Sequence, residues 1–452
     1  MIRSYLRYPV LLLFLTTSLL TKNHSYVNAQ VPASPEKELY LPAKIMRVPE
    51  GNDYNSNESE FSSKRMIQSA NIAIFWHKEF GDDPMTNNEV EKRFDVNEAL
   101  KECDRFYDYY VNDLKLVQKG NSATDRYKMI LFVINGKEQT AFGGGVENKV
   151  GILWTPALRM SKAPYGALAH ELGHAFQYIS RADSKTGPRG PIMEMSAQYM
   201  LWQVYPQWMT FENYHLISYF KKTHFAFLHP ENMYHSPYVL EYWSEKHGKE
   251  FFGKLCRSTQ EGEDPVMTYK RLTGVTQEAF NDEMFDAASR FITWDLKRVE
   301  PVARQYANLH TTKLHPTTDG WFEVDSANCP QNYGYNGIEL ALPAKGTKVT
   351  VDFKGISGAQ GYSSPKSEKA GWRYGFVAFK KDGSRVYGKV SRDPKGKVEF
   401  KVPANTGHLW LVVSAAPTEH WPVSFGRQKT PVIQEQWPYQ IKITGTTLSK
   451  SE

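Results

Sequence analysis

The sequence predicts an α+β protein in which a region mixing strands with helices is followed by an all-β region. Three observations lead there. Between about residues 70 and 160, short apolar runs of strand length alternate with one segment whose apolar residues recur every three or four positions. From there to about residue 300 the period is helical. Beyond about residue 310 it becomes two, with turn signals between short runs, as in an antiparallel β-sandwich or jelly roll. The expected organisation is residues 1–29 as a removable leader, 30–69 as a polar lead-in, 70–309 as the α/β and helical domain, and 310–452 as the β domain.

The leader follows from Arg3 and Arg7 ahead of an apolar run from Val10 to Leu20, then the small residues Val27-Asn28-Ala29. This is the pattern of a secretory signal, and it predicts a secreted protein that is extracellular, periplasmic or held at the cell surface. Removing Arg3, Arg7 and Lys22, with no acid among them, lowers the formal charge from +6 to +3. So small an excess gives no reason to expect a nucleic-acid partner. Residues 30–69, rich in Asn, Ser, Glu and Pro, read as a segment with little regular structure.

The folded region then opens with a strand at 71–77, where Ile72, Ile74 and Trp76 alternate with Ala73 and Phe75. Asp95 is placed to cap a helix whose apolar face is Val96, Ala99, Leu100, Cys103, Phe106, Tyr107, Tyr110 and Leu114. Strands follow at 127–134 and 150–154, and a helix over the His170 region. The breaker-rich stretch from Arg181 to Pro191 predicts a loop, with Pro191 opening the next helix. Further helices are expected at 211–220, 238–256 and 276–294. In the β domain, Asp382-Gly383 marks a turn, and Trp372, Trp410, His420 and Trp421 are the aromatic candidates for glycan or protein contact, unless that domain only supports the other one.

The chemistry concentrates in Ala169-His170-Glu171-Leu172-Gly173-His174 and, beyond the loop, Met193-Glu194. On a helix, His170 and His174 share one face a turn apart, so both imidazoles can converge on one cation. Glu194 offers a third donor. Two His and one Glu leave a zinc ion the open fourth position of a catalytic site, and Glu171 sits where a general base is needed. Gln198, four residues beyond Glu194, shares its face and is placed to orient a ligand.

These residues resemble the gluzincin group of zinc metallopeptidases, in which a His-Glu-x-x-His helix is completed by a downstream glutamate. The resemblance implies a zincin-like, thermolysin-like catalytic domain at 70–309, one Zn²⁺, and a zinc-dependent metallopeptidase acting on proteins, peptides or glycoproteins. Gly144-Gly145-Val146-Glu147-Asn148 is similar to the substrate-binding edge strand of aminopeptidase-like gluzincins, with Val146 where that signature carries Met. It implies substrate contacts from Gly144, Gly145, Glu147 and Asn148, and a grip on a free α-amino group if Glu147 faces the cleft. Tyr234-His235 resembles the segment that lays a phenol or imidazole across such a site, which makes Tyr234 or His235 the expected partner of the oxyanion. The whole chain also resembles an uncharacterised family of secreted bacterial proteins with a C-terminal Trp-Pro-Tyr strand, here Trp437-Pro438-Tyr439, and Gln177 adds a likeness to enhancin-type, mucin-directed peptidases.

Composition sets bounds on all of this. A 41% hydrophobic, 23% charged chain is an ordinary globular protein. Cys103, Cys256 and Cys329 lack the paired spacing of a cysteine zinc site. No later segment approaches a membrane span, and no phosphate-cradling loop or Gly-x-Ser-x-Gly elbow is present. The competing expectation is a non-catalytic surface binding protein whose metal site is structural or vestigial.

Overall fold

The hydrophobic run of the second expected strand, Met-Ile-Leu-Phe-Val-Ile, leaves no polar face, so its sheet must be covered on both sides. The computed structural model, which describes residues 36–422 and 434–449, shows how this is done. Five strands, β1 (Met66–Gln68), β2 (Ile72–Trp76), β3 (Met129–Ile134), β4 (Phe142–Val146) and β5 (Val150–Pro156), form a sheet in the order β1-β2-β3-β5-β4. The central β2, β3 and β5 are parallel, and the edge strands β1 and β4 run antiparallel to their neighbours.

One face of this sheet packs on helices α1 (Val96–Asn112) and α2 (Gly166–Ser184) through Ile72, Ile74, Leu131, Val133 and Leu153. Asp95 caps α1, accepting from the backbone N–H groups of Asn97 and Glu98. The opposite face, Phe75, Ile130, Phe132, Ile152 and Trp154, is covered by Leu39, Tyr40, Ile45, Tyr54 and Phe61. The stretch at 30–69, read as a lead-in, therefore differs from expectation over its described part. Its few apolar residues are spent on the sheet, and it ends in β1. The leader at 1–29 lies outside the described residues.

The helical layer continues with α3 (Ile192–Val204), α4 (Trp208–Phe211), α5 (Asn213–Phe220), α6 (Tyr238–His247), α7 (Phe251–Ser258), α8 (Pro265–Thr273) and α9 (Gln277–Phe291). The helix expected over 238–256 is two, broken where Gly248 adopts φ 95°. Helix α2 runs on through Arg181 to Ser184, so the loop is shorter than the breaker-rich stretch suggested.

The C-terminal region forms two antiparallel sheets. One is β11 (Arg385–Tyr387), β10 (Trp372–Lys380), β13 (Thr406–Ala415) and β8 (Tyr335–Leu340), in that order. The other is β12 (Lys395–Lys401), β9 (Lys348–Gly355), β14 (Tyr439–Thr444), β7 (Phe322–Val324) and β6 (Leu314–Pro316). Their facing residues, including Val351, Phe353, Tyr374, Leu411 and Tyr439, make a shared core. The first sheet's other face, with Val377, Trp410 and Val412, joins the helical core, and from Lys37 the described residues form one compact unit. Trp372 and Trp410 are consequently 3% and 1% exposed, which removes both as glycan contacts. His420 is likewise enclosed, bonded to Asp264 and Tyr333. Trp421 is half-buried, with its indole N–H donating to Glu435. Among the described residues no helix is long and apolar enough to cross a membrane.

Candidate metal centre

Glycines decide how closely the elements around His170 approach one another. A Cβ on Gly143 would lie 2.1 Å from the Glu171 carbonyl oxygen, and one on Gly145 would lie 2.2 Å from the Tyr178 ring. Strand β4 can therefore rest directly on α2. On another side of α2, Gly173 sits against Ala197 and Met200 of α3, where a Cβ would meet the Met200 methyl at 2.7 Å. That contact carries Glu194 over the two histidines.

His170 Nε2, His174 Nε2 and Glu194 Oε2 are each 3.2 Å from the other two. The atoms behind them fix their state. Gln177 Nε2 donates to the Met193 carbonyl at 2.8 Å and to Ser196 Oγ at 2.8 Å. A carbonyl can only accept, so the amide's oxygen is the atom facing His174 Nδ1 at 2.9 Å. Nδ1 must then carry a hydrogen, so in the neutral ring Nε2 presents a lone pair. Gln198 Oε1 lies 2.9 Å from His170 Nδ1. With both rings neutral, two imidazole lone pairs and a carboxylate oxygen face one another, an arrangement that calls for positive charge among them, a metal ion or a proton.

The spacing suits zinc. An equilateral triangle with 3.2 Å edges is the face of a tetrahedron. Its centre is about 2.0 Å from each corner, the usual Zn–N and Zn–O distance. Among the described residues this is the one group of three His, Cys, Asp or Glu side chains close enough to share a metal.

The centre lies in a cavity of about 760 Å³. Burial pushes the Glu171 carboxyl above its ordinary range, while the two imidazoles pull it back and the Gly143 N–H donates to it. Burial would also raise Glu194, but without a metal the two facing imidazoles, when protonated, outweigh it and hold it well below the carboxylate range. For His174, burial opposes a charge and the Glu194 carboxylate outweighs it, so its pKa is raised. Tyr234 faces the centre with its ring stacked between His170 and His215, at centroid distances of 6.4 and 6.1 Å. Burial, with Glu194 adding to it, pushes the Tyr234 phenol up to about 12, so it stays a donor at neutral pH.

Three expectations from sequence are placed differently. His235 does not line the cavity; its Nδ1 bonds His215 Nδ1 at 2.9 Å. The imidazole that lines the cavity beside the histidine pair is His215, lowered to about 4 by burial and by the nearby His235 and His170. No spacing signal in the sequence ties a residue forty positions downstream to the histidine pair, and only the α4–α5 turn brings it there. Glu147 and Asn148 occupy the β4–β5 turn, both at φ 54°, with Glu147 accepting from Tyr40 at 2.5 Å and the Asn148 N–H donating to Tyr178. They lie away from the cavity, as do Gly144 and Gly145. The stretch that borders it is Thr140 to Gly143, the lead into β4 and the strand's first two residues.

Compared with known proteins, residues 32–450 match a family described as a family of unknown function (DUF6055). The comparison with curated proteins finds no match to the sequence. Matches among solved structures include partial likenesses. An accessory secretory protein 1, 2 and 3 structure from Streptococcus pneumoniae is 8% identical, at TM-score 0.18, over 31% of this chain and 88% of that one. The CBM22-1 xylan-binding domain of Paenibacillus barcinonensis Xyn10C is 10% identical, at TM-score 0.18, over 31% of this chain and 83% of that one. At these scores neither says anything about what this chain does.

Proposed function

The chain belongs to the DUF6055 family of unknown function, and from its site we propose that it is an exported, zinc-dependent metallopeptidase cleaving internal peptide bonds of proteins or glycoproteins. The observation that carries the proposal is the triangle of two imidazole nitrogens and one carboxylate oxygen, with a glutamine amide against each Nδ1 atom. The mixed five-stranded sheet, with edge strand β4 resting on the His-Glu-x-x-His helix, supports a zincin-like reading of the N-terminal half. The two C-terminal sheets sharing a core support a sandwich appended to it.

Zinc held by His170, His174 and Glu194 would supply a Lewis acid that polarises the scissile carbonyl and acidifies the attacking water. The remaining steps belong to the chain's own side chains. Glu171, whose carboxyl is raised by burial, takes the water's proton and returns it to the leaving amine. Its hydrogen bond from Gly143 N–H keeps it under the edge strand. The Tyr234 hydroxyl, a donor held between two imidazoles, stabilises the oxyanion, and His215 shares the wall with it. The free edge at the start of β4, with Thr140 and Ala141 leading into it, can hold the substrate backbone as an added strand. Because Glu147 stands outside the cavity, no carboxylate from that turn is available to grip a terminal amino group, which favours internal cleavage.

The test pairs metal analysis with a peptide-library digest. Wild type should bind one zinc per chain and cut the library, and Glu171→Gln should keep the metal while losing hydrolysis by about 10²–10⁴-fold or more. A Glu171→Gln enzyme as fast as wild type would remove Glu171 from the mechanism. A zinc-loaded wild type that cuts nothing would favour a binding protein.

A further inference from the structure

The solvent face of the second C-terminal sheet carries charges that the fold itself does not neutralise. Strand β12 turns Lys395, Lys397, Glu399 and Lys401 outward, while Gly396, Val398 and Phe400 face in. In β9 the outward set is Lys348, Thr350, Asp352 and Lys354, and in β14 it is Gln440, Lys442 and Thr444. The register then sets like against like: Lys395 lies directly opposite Lys354, and Lys401 directly opposite Lys348. Directly opposed like charges destabilise a strand pair, so a sheet with no use for them would not be expected to hold two such pairs.

Local acids compensate only part of this. Lys348 reaches Glu399 at 2.9 Å and Lys397 reaches Asp352 at 3.5 Å. Lys354 has only the Trp321 ring, 4.4 Å below its ammonium group. Among the described residues, Lys354, Lys395, Lys401 and Lys442 have no carboxylate partner. Protection of an exposed sheet edge accounts for lysines on β12, which is an edge strand, but Lys354 and Lys442 stand on interior strands β9 and β14. At a rise of about 3.4 Å per residue, Lys395 and Lys401 are about 20 Å apart along one strand, the reach of a polymer rather than of one small anion.

We infer that this face binds an anionic polysaccharide, one bearing carboxylate or sulfate groups on a hydroxyl-rich chain. The exposed Thr444 hydroxyl stands beside Lys442 as a neutral hydrogen-bonding group, which suits sugar hydroxyls, while Thr350 is buried and the Gln440 amide donates to Glu323. The features other polyanions need are missing from the face. None of the outward residues of β9, β12 and β14 is aromatic or apolar and the neighbouring Trp321 is already capped by Lys354, so these strands offer bases no stacking platform and a lipid surface no apolar wedge. The inference does not depend on the metal centre, since this sheet contributes nothing to that cavity.

The test uses the full chain and alginate, a polyuronate, in low salt. Wild type should bind alginate, with affinity falling as salt rises, and should bind neutral dextran, single-stranded DNA and anionic phospholipid vesicles at least about tenfold more weakly. The triple variant Lys354→Glu, Lys395→Glu, Lys442→Glu should lose at least about tenfold in alginate affinity. A control with the same change in net charge, Lys64→Glu, Lys254→Glu, Lys297→Glu, places its substitutions on exposed residues elsewhere and should bind like wild type. Thermal unfolding of both variants checks that each is folded. Equal losses in the two triples, absence of alginate binding by wild type, or equal binding of DNA or vesicles would each overturn the assignment.

Discussion

Replacing Gln177 by Leu should weaken zinc binding without touching a ligand atom, because the residue acts only through His174. The Gln177 amide oxygen, 2.9 Å from His174 Nδ1, selects the tautomer that bares Nε2. Leucine fills similar space but accepts nothing, so the imidazole loses that bias and its orientation. Removing such a support typically costs 10–100-fold in metal affinity, or about 1.4–2.7 kcal/mol. A stability cost accompanies it, because Gln177 Nε2 also donates to Met193 O and Ser196 Oγ. Ser196 Oγ lies 3.2 Å from the same carbonyl and can still donate to it, so the apoprotein should lose only about 1 kcal/mol, near the lower end for an unmade buried bond. Competition against a chromophoric chelator at neutral pH reads the affinity, and denaturant unfolding of the metal-free chains reads the stability. Ser196→Ala keeps the bond to Met193 and should bind zinc nearly as wild type does. If the Leu variant held zinc as tightly as wild type, the tautomer argument for the centre would fail.

Other outcomes follow from the same geometry. Gly143→Ala should lower stability by about 1–3 kcal/mol or more, since its Cβ would meet the Glu171 carbonyl, whereas Gly144→Ala, with open space around it, should stay within about 0.5 kcal/mol in the same unfolding assay. Arg298→Met leaves the fully buried Glu241 without its cation and should cost about 3–5 kcal/mol by denaturant titration. Burial holds His310 down at about 3, so its unfolded form takes up a proton first as pH falls. Its contribution to stability is therefore present above about pH 6.5 and is lost progressively between there and about pH 3. A His310→Gln variant should show a shallower fall of melting temperature with acid across that window, and parallel curves would refute the assignment.

The parts of this molecule that could be read from sequence are those where one local rule acts alone. Asp95 caps α1 because a carboxylate accepting two backbone N–H groups needs nothing beyond its neighbours, and His170 and His174 share a face because helix geometry alone puts them there. What the sequence hid was set by tertiary partners. Tyr234 and His235 are adjacent and chemically similar, and only packing against α5 turns one ring toward the centre and gives the other to His215. Leu39, Ile45 and Phe61 are too sparse among polar residues to show a period, yet the doubly apolar β3 requires some cover for its second face, and they provide it. That requirement was legible in β3 itself. An uninterrupted apolar strand predicts a covering layer on each side, and with α1 and α2 accounting for one side, the 30–69 stretch was the segment available for the other.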